Sequence, residues 1–231
     1  MTEFFYYPLS EAHIAQGTVV VIDVLRAFTT AAYAFEAGAA QIYPVSAVEE
    51  AIQLRNHLTN ALVMGEVDGL RPQGFDFGNS PAMISQQNLK GRRLIQRTSA
   101  GTQGVIRAVQ ADRLLAASFV VAKATAAMIQ QKNPETVSFI VTGESLGRDG
   151  DEDRACGEYI QALIQGCDPD PREFTKRVLT STVGLALKGG HHPTISKEDL
   201  ALSLAVNRFP FALILSYRDS HLIVEKECVK T

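Results

Sequence analysis

The sequence predicts an α/β fold: a three-layer α/β/α arrangement about a largely parallel (mixed) sheet that closes with a C-terminal β-hairpin. Three observations predict it. Nearly unbroken β-branched runs such as "TVVVIDVL" alternate with Ala-rich or amphipathic stretches of helical length, as buried parallel strands alternate with the helices that cover them. Gly and Pro fall at the joints between the two kinds of segment. The last apolar runs, "FALIL" and "HLIV", flank a polar turn at residues 218–220, which is a hairpin signal.

Taken in order, a strand over residues 18–25 feeds a helix in "RAFTTAAYAFEAG", stopped at Gly38. "QIYPV" is a short second strand. "SAVEEAIQLRNHL" opens a helix with Ser46 and Glu49 in capping-box spacing. "ALVMG" is a strand, residues 66–81 form a long Gly/Pro-rich loop, "RRLIQR" is a strand and "GTQGVIRAVQA" a helix. "RLLAAS", "AKATAAMIQQK", "VSFIVTG" and "DEDRACGEYIQALIQG" extend the alternation. After Gly166, "PDPREFTKRVLTSTVGLALKGG" and "ISKEDLALSLAVN" read as successive helices with no strand between them. With 231 residues and no linker, repeat or low-complexity tract, one domain over residues 1–231 is expected.

Composition narrows the function. At 46% hydrophobic and 20% charged the chain suits a globular core, and a net charge of −3 supplies no broad positive field for a nucleic-acid backbone. The apolar runs fall short of the ~20 residues that span a bilayer, and "MTEFFYYPLS" lacks the basic start of a signal peptide. A cytoplasmic protein with neither nucleic-acid nor membrane partner is therefore expected. Cys156, Cys167 and Cys228 form no CxxC pair, so free thiols are expected. His191 and His192 lie in a Gly-rich segment and read as loop residues. HExxH, GxGxxG and P-loop patterns are all absent from the sequence.

Polar residues gather where each strand of a parallel sheet would end, the edge at which such folds place ligands. Asp23 and Arg26 follow the first strand, Glu66 and Asp68 the third, and Thr98, Ser99, Gly101 and Thr102 the fourth; Asp151, Glu152 and Asp153 follow a later one. "RTSAGT" places hydroxyls and a Gly at a helix start, which suits an anion such as phosphate or an ordinary cap. Asp23 interrupts an apolar strand and needs a cation, a hydrogen bond or an ion pair with Arg26. The acids at residues 151–153 favour a helix N-terminus through its dipole. Together, Asp23, Glu66 and Asp153 offer oxygen ligands for one Mg²⁺ beside a phosphate-binding turn. In "GFDFGNSP", Phe75 and Phe77 read as anchors, while Asn79 and Ser80 are placed to form a turn or to donate to the ligand.

The ordered set "VIDVLRAFTTAAYAFEAGA", "GE", "GFDFGNSP", "RTSAGT" and "DEDRACGEYI" resembles the 2-phosphosulfolactate phosphatase (ComB-like) family across most of the chain. The resemblance implies an α/β fold and Mg²⁺-dependent hydrolysis of 2-phospho-3-sulfolactate to 3-sulfolactate and phosphate, a step on the route to coenzyme M. It implies roles for Asp23 and Arg26 in an Asp-x-x-Arg pair, for Glu66, for residues 78–81 and 98–102, and for Asp153. The substrate would be a small anionic phosphate ester, and a homodimer is compatible with a chain of this size. Phosphatases with an aspartyl nucleophile carry a second Asp two positions on; Leu25 stands there, so direct attack by water is expected. The other reading is a non-catalytic sensor of a phosphorylated or sulfonated metabolite, motivated by Val67 and Ala100, which replace polar residues of the family pattern.

Overall fold

The computed structural model describes residues 2–144, 148–188 and 194–229. His191 and His192 lie outside the described residues. Nine strands form one sheet, in the spatial order β1 (Glu3–Pro8), β7 (Thr136–Val141), β2 (Gly17–Ile22), β6 (Ala111–Ala117), β8 (Phe211–Arg218), β9 (His221–Cys228), β3 (Gln41–Pro44), β5 (Arg93–Arg97), β4 (Ala61–Gly65). The C-terminal hairpin forms as its turn residues predict, in register from Phe211 opposite Cys228 to Arg218 opposite His221. It sits mid-sheet between two parallel blocks, β1-β7-β2-β6 and β3-β5-β4.

That position has a geometric consequence. The joints β6–β8, β8–β9 and β9–β3 are all antiparallel, so the two blocks run in opposite senses along the ladder. In a flat sheet the carboxyl ends of β2 and β5 would then lie on opposite edges. Five strand steps separate them, and a twist of roughly 20–25° per step accumulates to about 100–125°, which turns the nominal reversal into an acute crossing. The side chain of Gln96 in β5 donates to the carbonyl of Ala27, just past β2, at 2.9 Å.

Helix α1 (Ala27–Glu36) runs from this crossing into the core. Every residue of it from Ala27 to Phe35 is buried, as expected of an Ala-rich helix with no polar face. Helices α5 (Ala122–Lys132) and α6 (Asp151–Ile164) cover one face of the first block through Phe139, Ile22, Ile129 and Ile160. Helix α4 (Gly101–Arg107) and a 3-10 turn at Leu9–Ile14 pack on the face that holds α1. Helix α2 (Val48–His57) covers β5 and β4. Beyond α6 come α7 (Pro171–Thr180), α8 (Thr182–Lys188) and α9 (Lys197–Ser203), with no strand among the described residues between them. Among the described residues, no helix is long and apolar enough to cross a membrane.

Local differences from the expectation have physical reasons. β2 stops at Ile22, because Asp23 turns its side chain to cap α1. The capping carboxylate of α2 is Glu50, not Glu49, since its Oε2 accepts from the Ser46 N–H at 3.0 Å and the Ser46 hydroxyl at 2.9 Å. β1 was not expected: its Phe4, Tyr6 and Tyr7 are half-buried and its Phe5 is exposed, as an edge strand paired with β7 permits. The loop after β4 doubles back along that strand, where Asp76 and Phe77 donate their N–H groups to the Val63 carbonyl at 2.9 and 3.1 Å. Phe75 is buried with the α2 side of the core, and Phe77 packs on the central cluster.

Gly65 ends β4 at φ +137°, where a Cβ would stand 1.9 Å from the Arg97 carbonyl oxygen. Substituting Gly65→Ala therefore forces β4 and β5 apart in a left-handed backbone conformation. A loss of about 2–3 kcal/mol or more is expected. Urea unfolding with an unchanged slope checks it, and a loss under ~0.5 kcal/mol would contradict the close approach.

Candidate active site

Where β2, β4 and β5 end around the start of α1, a cavity of about 320 Å³ opens to solvent. Asp23, Arg26, Glu66, Asn79 and Ser99 line it, joined by Asp68 and Arg148. Thus five of the predicted residues meet, although they converge through sheet twist and not along one carboxyl edge.

Asp23 is 6% exposed. Its Oδ1 accepts the Ala27 N–H at 2.9 Å and so caps the first turn of α1. Gly101 lets the fourth-strand turn approach it: a Cβ there would lie 2.8 Å from Asp23 Oδ2. Burial pushes the Asp23 pKa up to about 6; the Ala27 N–H opposes this, and the Glu66 charge adds to it. Asp23 does not pair with Arg26. Instead Arg26 Nη1 meets Asp199 Oδ2 at 3.0 Å, with the two side chains 5% and 3% exposed, and donates to the Thr194 carbonyl at 2.7 Å.

Glu66 ties two loops together. Its Oε1 accepts the Ser99 N–H at 2.6 Å, and its Oε2 accepts the Gly69 N–H at 2.6 Å and the Ser99 hydroxyl at 3.1 Å. Asn79 is buried with Oδ1 lacking any partner. Amide orientation follows from hydrogen bonding, so either way round one polar atom of this carboxamide is left unsatisfied, at a cost of about 1–3 kcal/mol.

The other predicted residues are engaged elsewhere. Thr98 and Thr102 are buried and bond each other: the Thr98 N–H donates to Thr102 Oγ1 at 2.8 Å, and the Thr102 N–H to Thr98 Oγ1 at 3.0 Å. Ser80 donates to Asp199 Oδ1 at 2.6 Å and caps the short helix α3 (Pro81–Ile84) by accepting the Met83 N–H. Asp153 latches α6 to β2 and β7. Its Oδ1 accepts the Val24 N–H at 2.8 Å, and its Oδ2 accepts the Gly143 N–H at 2.7 Å and the Thr142 hydroxyl at 3.2 Å. Burial raises its pKa well above the usual carboxylate range, and the charges of Glu152 and Asp23 add to the rise.

Among the described residues, no three His, Cys, Asp or Glu side chains form a metal-binding cluster. Mg²⁺ does not require one, since it commonly takes one or two carboxylates plus water and phosphate oxygens. Asp23 and Glu66 fit such a site by facing the cavity. Asp153 does not, because it lines no part of the cavity and is turned to the ends of β2 and β7.

Sequence reasoning passed over Asp199, which comes from α9, and gave no role to Arg148; a lone Asp within an amphipathic helix carries no local signal for a partner 173 residues away. Residues 6–187 match the family described as 2-phosphosulpholactate phosphatase. A protein of Bacillus subtilis (strain 168) named probable 2-phosphosulfolactate phosphatase is 34% identical over 184 residues, 78% of this chain and 79% of the relative. Proteins of the same name from Carboxydothermus hydrogenoformans and Thermotoga petrophila are 42% identical over 162 residues (70% and 66% of the two chains) and 36% identical over 186 residues (80% and 79%). With a match across most of its length, the chain belongs to the 2-phosphosulpholactate phosphatase family, a family of phosphoric monoester hydrolases.

Proposed function

We propose that the cavity binds a small, multiply anionic phosphate monoester, 2-phospho-3-sulfolactate or a near relative, and hydrolyses it to the alcohol and phosphate with the help of Mg²⁺. The observation that carries this reading is the charge of the lining: Asp23, Glu66 and Asp68 stand beside Arg26 and Arg148, and the Arg26 charge is shared with Asp199. Such a surface repels a phosphate ester unless a divalent cation sits between them. Bound Mg²⁺ would supply that neutralisation and acidify a bound water.

The chain's own groups do the rest. Glu66 and Asp23 present carboxylate oxygens whose orientation is fixed by the N–H groups of Ser99, Gly69 and Ala27. The hydrogen bonds of Arg26 among the described residues leave from Nη1, so the remainder of its fork is available to the phosphoryl oxygens. Asn79 completes its hydrogen bonding only when substrate or the attacking water enters. The apolar side chains of Leu25, Val183 and Ile195 on the same cavity face the carbon skeleton and exclude bulk water.

Phosphate release from 2-phospho-3-sulfolactate tests the activity directly. Turnover is expected with Mg²⁺, lost with a chelator and restored by added Mg²⁺; folded protein that releases no phosphate from this compound or a panel of acidic phosphomonoesters would defeat the proposal. Substituting Asn79→Ala should lower kcat about 10²–10³-fold with stability unchanged or slightly raised, because the Oδ1 atom has no partner to lose; unfolding in place of inactivity would make Asn79 a structural turn residue.

Asp23→Asn separates function from stability. Because burial raises the folded pKa to about 6, ionised Asp23 costs stability that grows as pH rises from the unfolded value near 4 and is fully present above about 6. In metal-free protein, Asp23→Asn should therefore add on the order of 2 kcal/mol at pH 7.5, nothing below pH 4, and abolish turnover. Melting curves across that range check the sign; an Asn variant that is less stable at pH 7.5 would contradict it.

A further inference from the structure

Asp199 is the most heavily bonded carboxylate of the site, and it lies beyond the residues 6–187 of the family match. Its Oδ2 takes Arg26 Nη1 at 3.0 Å and the Ser196 N–H at 3.1 Å. Its Oδ1 takes the Ser80 hydroxyl at 2.6 Å and the Ala82 N–H at 3.1 Å. Four donors on four lone-pair positions leave it saturated. One carboxylate thus ties α9 to the start of α1 through Arg26 and to the turn that carries Asn79 through Ser80.

Arg26 has a choice of acids, because Glu66 and Asp23 are also within electrostatic reach of it. A guanidinium free to swing would pair with whichever of them was unneutralised, and would cover the carboxylate oxygens that a cation needs. Asp199 removes the choice. Its own pKa is drawn two ways: burial pushes it up, but the donors from Ser80, Ser196 and Ala82 and the Arg26 charge outweigh that and hold it below the usual carboxylate range.

We propose that Asp199 is a positioning residue, which holds Arg26 away from Asp23 and Glu66 and locks it to the Asn79–Ser80 turn, so that the anion-binding arm and the cation-binding carboxylates stay apart. This rests on the phosphatase reading of the cavity. Asp199 touches neither substrate nor metal, and its effect passes through Arg26.

The alternative role is purely structural, since the Asp199 N–H also donates to Ser196 Oγ at 3.0 Å in the capping box of α9. The two roles separate in a calorimetric titration with inorganic phosphate in the presence of Mg²⁺, run beside steady-state kinetics. Asp199→Asn should bind phosphate at least tenfold more weakly and raise KM by a similar factor, with a smaller change in kcat. Ser196→Ala should lower Tm while leaving phosphate affinity within twofold. In an Arg26→Ala background, Asp199→Asn should cost no further affinity, because the residue it positions is gone. Wild-type phosphate affinity in folded Asp199→Asn, or additive losses in the double variant, would overturn the proposal while leaving the phosphatase reading standing. If neither Asp199→Asn nor Asp199→Glu folds, Asp199 is a stability residue and the proposal fails. A wild-type protein that neither binds nor releases phosphate defeats both readings together.

Discussion

A helix buried on every side must satisfy its first N–H groups without water, and the start of α1 is where this molecule meets that demand. Asp23 answers it twice, with Oδ1 on the Ala27 N–H and its own carbonyl on the Phe28 N–H at 3.2 Å. Thr29 then donates to the Val24 carbonyl at 2.8 Å. The carboxylate at the heart of the cavity is therefore held there by helix formation, and the site depends on α1 being enclosed. The enclosure in turn comes from α3, α4, β6 and the 3-10 turn at Phe119–Val121, which pack against α1.

The acids of the site divide their work according to whether they face the cavity. Asp153 and Asp199 line no part of the cavity and act as latches, one between α6 and the β2–β7 ends, the other between α9, Arg26 and the Ser80 turn. Glu66 is partly claimed and aligns the loops after β4 and β5 while still facing the cavity. Asp23 uses one oxygen for α1 and turns the other toward the Gly101 turn, where the missing side chain makes room. Burial raises the pKa of both Asp23 and Asp153, so both carry an unmet demand for positive charge, and of the two it is Asp23 that faces the cavity.

Much of this was legible in the chain. Alternating β-branched and Ala-rich segments gave the element order, because buried parallel strands and their covering helices leave period and composition signals within a few residues of each other. The hairpin was legible for the same local reason, but its place in the sheet was not, since strand order is decided by long-range packing. Asp23 and Glu66 stood out because acids beside apolar strands need a partner. The "RTSAGT" hydroxyls misled in part: Thr98 and Thr102 satisfy each other, while Ser99 alone among them reaches the cavity. Asp199 was invisible because the partners that give it meaning, Arg26 and Ser80, are 173 and 119 residues away.

The electrostatics of the cavity follow from this division. An arginine placed among three acids would normally neutralise the nearest and leave a quiet, structural cluster. Here the acid that captures Arg26 comes from the far end of the chain, so Asp23 and Glu66, which are closer to it in sequence, feel its charge without forming an ion pair with it. Burial then raises the cost of ionising Asp23 instead of relieving it. A pocket in this condition favours whatever brings positive charge, and it favours an anion only in company with that charge. In the proposed reading, cation and phosphate binding would be coupled by the same geometry that pairs Arg26 with Asp199.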